Sequence, residues 1–173
     1  MASDYLNSSQ AEAKDIAKTL RQVDLLLASN KLRDVYQSDA TELRRKVKTM
    51  LADINTSLND LSDLEAKHIF KTNPVFATQR HQLIERIETA KIDFEFDIVP
   101  ALESLTRQVV ENSKQNPSML VKNPNESWTA QKILDQAGQF VDQAARAGTI
   151  LIKAYGLAQA LGLVLGIPLP PIP

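Results

Sequence analysis

The chain has 173 residues, no cysteine, and 20 Lys and Arg set against 21 Asp and Glu. That length suits one domain with a real core. The even charge excludes a broad basic field for gripping a phosphate backbone, and the missing thiols exclude disulfides, thiolate metal sites and a cysteine nucleophile.

The opening "MASDYLNSSQAEAKD" lacks the basic-then-apolar pattern of a signal peptide. Ile16, Leu20, Val23 and Leu27 then step by four, three and four, which places one apolar stripe along a first helix from about Ser8 to Ser29. Asp39 followed by Glu42 reads as a capping box. Leu43, Val47, Met50, Ile54, Leu58 and Leu61 continue from it as the stripe of a second helix, expected to run to near Phe70 and to stop before Asn73-Pro74. Its basic run, Leu43 to Lys48, keeps helical spacing, so its charges form a solvated face and no nucleic-acid partner is expected.

A third helical stretch uses Leu83, Ile87, Ala90, Phe94, Ile98, Leu102, Leu105 and Val109. Pro100 lies inside it, which predicts a kink or break near Asp97. The sequence "KQNPSMLVKNPNES" is a loop with two Asn-Pro pairs. From Asn125 a fourth helix is expected to reach Leu165, amphipathic at first through Ile133, Leu134, Ala137, Val141 and Ala144, then apolar on every side. Together these elements predict an all-α fold, an antiparallel four-helix bundle with a long apolar C-terminal helix. The expected division is a helical bundle over 1–146, an apolar helix over 147–167 that faces a membrane or a partner, and a Pro-rich extended end over 168–173.

Chemistry is sparse. A metal site at His68 or His81 would need several convergent carboxylates, so these read as a helix-end and a helix-surface residue, and Glu85, Glu88, Asp93, Glu95 and Asp97 read as a solvated face. There is no Gly-rich phosphate loop and no nucleophile elbow. The expectation is therefore no catalytic residue, no metal, no cofactor and no small-molecule substrate.

The tail is the informative segment. Ala154, Ala158, Gly162 and Gly166 recur every four residues as a ridge of small side chains, with Leu157, Leu161 and Val164 on the opposite side. Such ridges let helices approach closely in membranes. Residues 147–167 are also long enough for a span of about 20 residues, with Lys153 near one end. A buried central helix would exploit small residues in the same way. The ridge is the expected docking site for membrane-protein subunits or a lipid bilayer, with Trp128 and the loop from Asn116 to Ser127 as secondary contacts.

The stretch "DLLLASNKLRDVYQSDATELRRKVKTMLADI", Asp24 to Ile54, resembles the first two helices of PsbQ-type proteins, the extrinsic four-helix-bundle subunits of photosystem II. The resemblance lies in an apolar helix ending, Lys31-Leu32 with Val35, Leu43-Arg44, and Leu51 with Asp53-Ile54. The tryptophan commonly found near Leu32 in that family is absent. "ETAKIDFEFDIVPAL", Glu88 to Leu102, resembles the family's last helix, and residues from about Lys114 onward have no counterpart there. The resemblance implies a non-enzymatic subunit that docks on a membrane complex at the lumenal side of the thylakoid.

Three readings follow. The first is an accessory subunit of a membrane-protein assembly, membrane-associated through its tail. The second is a membrane-acting bundle that releases the tail on a trigger. The third is a soluble interaction module with residues 147–167 as its own core helix.

Overall fold

In the computed structural model, described here for residues 2–67, 72–120 and 129–170, every regular element is helical. The elements are α1 (Ala2–Leu27), the short α2 (Asn30–Val35), α3 (Gln37–Ala66), α4 (Pro74–Asp93), a π-helical turn (Phe94–Ile98), α5 (Val99–Gln115), a 3-10 turn (Pro117–Met119), α6 (Ala130–Ala145) and α7 (Ile150–Leu165).

The expected stripes become the core. Ile16, Leu20, Val23 and Leu27 of α1, Leu43, Val47, Met50, Ile54 and Leu61 of α3, and Ile98, Leu102, Leu105 and Val109 around α5 are all buried. Leu58, Leu83 and Ala90 are half-buried at its margin. Contacts between helices give their directions. Arg21 donates to Asn55 at 3.0 Å and Arg44 pairs with Asp24 at 2.8 Å, so α3 runs back along α1. Arg80 meets Glu65 at 3.3 Å and Lys46 meets Asp97 at 2.8 Å, so α4 and the π turn run back along α3. The Ser9 hydroxyl donates to Glu88, and Lys91 reaches Glu12 at 2.7 Å, which sets α4 parallel to α1.

Local chemistry explains most boundaries. The Asn73 side chain accepts the Val75 N–H at 3.0 Å with Pro74 in the first turn, a cap that needs no tertiary help. The α3 helix starts at Gln37, two residues before the expected capping box, and Tyr36 at its N-cap makes no side-chain cap bond. Instead, the Tyr36 hydroxyl accepts from Asn112 at 2.6 Å, tying the α2–α3 corner to α5. The segment from Pro74 to Gln115 is one unbroken helical path of about 60 Å. Pro100 does not break it. The Val99 N–H reaches back five residues to the Phe94 carbonyl, and the wider turn absorbs the proline in the predicted place.

The fourth helix differs from expectation. It is two helices, α6 and α7, folded as a hairpin about Arg146 to Thr149. Gly148 breaks the run, and the Thr149 side chain accepts the Ile152 N–H at 3.4 Å to begin α7. Because α6 turns the chain around, α7 runs parallel to α1 and α5. Lys153 pairs with Glu103 at 2.6 Å, Tyr155 lies beside Thr19, and Gly162 lies beside Leu26. The expected start of this helix near Asn125 lies outside the described residues; within them, Thr129 caps α6 through the Lys132 N–H.

Candidate functional site

The tail ridge is internal. Ala154, Leu157, Ala158 and Leu161 are fully buried, Val164 and Gly162 are buried, and Gly166 is half-buried at the helix end. Both sides of α7 are covered by α1, α5 and α6 of the same chain. The expectation that the ridge docks a partner while Leu157, Leu161 and Val164 meet lipid is therefore corrected. All of them but the half-buried Gly166 are enclosed by their own fold. The α7 helix covers only Ile150–Leu165, and among the described residues no helix is long and apolar enough to cross a membrane. Trp128 and residues 121–127 of the loop lie outside the described residues, as does His68.

The ridge works at the end of α7. Gly166 takes a left-handed φ of 69°, the Ile167 N–H donates to the Gly162 carbonyl at 2.8 Å, and the Gly166 N–H donates to the Leu163 carbonyl at 3.2 Å. This pair of bonds closes the helix as a Schellman motif. At the half-buried seam between α5 and α7, the Lys153 ammonium beside Glu103 holds that carboxyl below its ordinary pKa, aided by Arg107. Burial raises the Tyr155 phenol, whose hydroxyl finds no partner among the described residues.

Exposed apolar side chains remain on α1, α2 and α7, at Leu25, Val35 and Ile152, and on α4 and the π turn on the other half of the molecule. The α3 and α4 helices diverge over a groove of about 920 Å³, lined by Arg45, Lys46, Met50 and Asp53 on one wall and by Arg86 and Asp93 on the other. At its end Lys46 is held above the usual lysine pKa by its hydrogen bond to Asp97. On α4 and the π turn, Ile92 is 56% exposed and Phe96 is 71% exposed. One helical turn separates them, so they share the outward face of α4 and the π turn.

Sequence reasoning passed over Phe96, although the signal was present. Phe94 and Phe96 are two residues apart, so a helix that buries one must expose the other. The acidic group identified on the same stretch is partly engaged. Glu88 accepts from Ser9 and pairs with Lys91 at 3.3 Å, Glu85 meets His81 at 3.2 Å, and Asp97 meets Lys46. Asp93 and Glu95 are exposed and have no ion-pair partner among the described residues. No three His, Cys, Asp or Glu side chains are grouped to hold a metal ion among the described residues.

Comparison with protein-family models, curated proteins and solved structures returns no match for this chain.

Proposed function

We propose that the chain is a non-catalytic helical docking module whose tail is a core helix and whose contact face is the outward side of α4 and the π turn. The observation that carries this reading is Phe96, a large aromatic side chain left 71% exposed beside an exposed isoleucine, on a π turn. π turns inside α-helices recur at functional positions, and aromatic anchors carry a disproportionate share of binding energy.

Magnitudes weigh against a tail that leaves the fold. Exposing Leu157, Leu161, Val164 and Leu165 together would cost about 6–12 kcal/mol at about 1.5–3 kcal/mol each. A whole domain is stable by only about 5–15 kcal/mol. The membrane-acting reading needs that release, and the accessory-subunit reading in its tail-first form needs a free ridge. The resemblance of residues 24–54 to PsbQ-type proteins fits the present reading, since an extrinsic subunit can dock through its bundle surface.

The test is photo-crosslinking in the cells that make the protein. Phe96 is replaced by benzoylphenylalanine, with Val75, 62% exposed at the far end of α4, as the control position. The reading expects one discrete adduct at position 96 that disappears with Ile92→Ser and is absent at position 75. Equal adducts at both positions, or none at 96, would refute it.

A further inference from the structure

We propose that the proline segment opening at Pro168 is a docking ligand for a partner domain whose groove is lined by aromatic side chains. This surface is separate from α4 and the π turn and does not depend on the reading given to them.

The backbone of the segment is set by its own chemistry. In "IPLPPIP", Ile167 to Pro173, every residue is a proline or precedes one. A proline ring fixes φ near about −65°, and it pushes the residue before it out of the helical region towards extended dihedrals. Past Gly166, the described residues 167–170 accordingly carry no helical or strand structure. Polyproline geometry needs no internal hydrogen bonds and turns once every three residues. At that period Pro168 shares a ridge with Pro171, Pro170 with Pro173, and Leu169 with Ile172.

The structure shows which ridge the fold takes. Leu169 is half-buried against the core and stands over Gly162, whereas Pro168 and Pro170 on either side of it are exposed. The Ile167 N–H donates to the Gly162 carbonyl at 2.8 Å and ties the start of the segment to the end of α7. The leucine thus clamps the segment with its prolines turned to solvent. Pro171 and Pro173 lie outside the described residues, and the sequence repeats each exposed proline three positions on.

This chemistry names the occupant. A segment already confined in its dihedrals loses little entropy on binding, and grooves lined by aromatic rings are what recognise prolines at this spacing. No charged residue follows Lys153, so the partner's groove acts through aromatic and apolar contact and gains nothing from an acidic pocket. A phosphate backbone or an anionic lipid surface finds no cation on the segment.

The experiment titrates fluorescently labelled SH3, WW and EVH1 domains with the full chain, read by anisotropy at about 0.05 M and about 0.5 M salt. Two proline pairs are replaced, Pro168→Ala with Pro171→Ala and Pro170→Ala with Pro173→Ala. The controls are Phe96→Ala on the π turn and Pro117→Ala on the 3-10 turn, and thermal melts confirm folding of every variant. The proposal expects at least one domain to bind, each proline pair to weaken that binding at least about tenfold, and the controls to stay within about twofold. With no charge in the ligand, affinity should change less than about twofold between the two salt concentrations. The proposal is overturned if none of the domains binds at about 1 mM, which would leave the segment a stiff spacer. It is equally overturned if both proline pairs bind like the wild type, if a control weakens binding as much as they do, or if affinity falls steeply with salt, which would trace the binding to charges on the bundle.

Discussion

Replacing Gly162 by alanine should destabilise the protein, whereas the same change at Gly138 should stabilise it. Both glycines lie inside helices, α7 and α6, where alanine is favoured over glycine by about 0.8–1 kcal/mol. At Gly138 a new methyl group has nothing within 4 Å, so the propensity gain comes through whole. At Gly162 that methyl would stand 2.6 Å from the Ile167 carbonyl oxygen, with Leu26 and Leu169 both at 3.5 Å. The oxygen belongs to the backbone of the turn that closes α7. It can retreat only by loosening the Ile167–Gly162 and Gly166–Leu163 hydrogen bonds, each worth about 1 kcal/mol. Overpacking of this kind costs about 1–3 kcal/mol, which outweighs or cancels the helix gain. Thermal unfolding of the two variants against the wild type is sufficient, since about 1 kcal/mol shifts Tm by roughly 2–4 °C at this size. A Tm for Gly162→Ala that rises as much as that of Gly138→Ala would refute the close packing of the α7 end.

Three further outcomes follow from the same core. A chain ended at Arg146 loses Leu157, Leu161, Val164 and Leu165 together, so it should show no cooperative thermal transition; an unchanged melt would mean the tail is external. Tyr155→Phe removes a hydroxyl that is buried without a partner among the described residues, so stability should hold or rise by up to about 1–2 kcal/mol, and a clear loss in denaturant titration would reveal a partner for it. Glu103 has its folded pKa depressed by Lys153, so the unfolded chain binds its proton first as pH falls. Its stabilising contribution is present above the ordinary value of 4.5 and fades as pH drops through the folded pKa below it. The stability gap between wild type and Glu103→Gln should therefore be constant near neutrality and narrow below pH 4.5; a gap that widens in acid would reverse the sign.

Much of the fold was legible because helical spacing reports burial directly. The stripes along α1, α3 and α5, and Ile133, Leu134, Ala137, Val141 and Ala144 along α6, point inward as their spacing required. Pro100 also marked an irregular turn near Asp97, whereas Asn73-Pro74, read only as a stop, proves to be the N-cap and first turn of α4. The hairpin at Arg146 to Thr149 was harder to see. A lone glycine in an apolar run is tolerated by a continuous helix, and only the threonine after Gly148 marks a fresh N-cap. Once the chain turns there, the long span expected for 147–167 shortens to the helix from Ile150 to Leu165, and its direction reverses.

The tail's destination was not legible for a physical reason. A helix apolar on all sides must be enclosed, but its own sequence does not say by what, since lipid and neighbouring helices make the same demand on its side chains. Small residues sharpen the ambiguity, because close helix approach is favoured in both settings. The contacts decide it. A methyl on Gly156 would press to 3.2 Å from the Ala144 Cβ of α6, and one on Gly162 would reach Leu26 of α1. The α7 helix is thus met on two sides by its own chain, with Gly162 of the ridge facing α1. With the tail enclosed, the search for a contact surface moves to residues the core cannot account for. Phe96 is the largest of these, because burying Phe94 two positions earlier forces it outward.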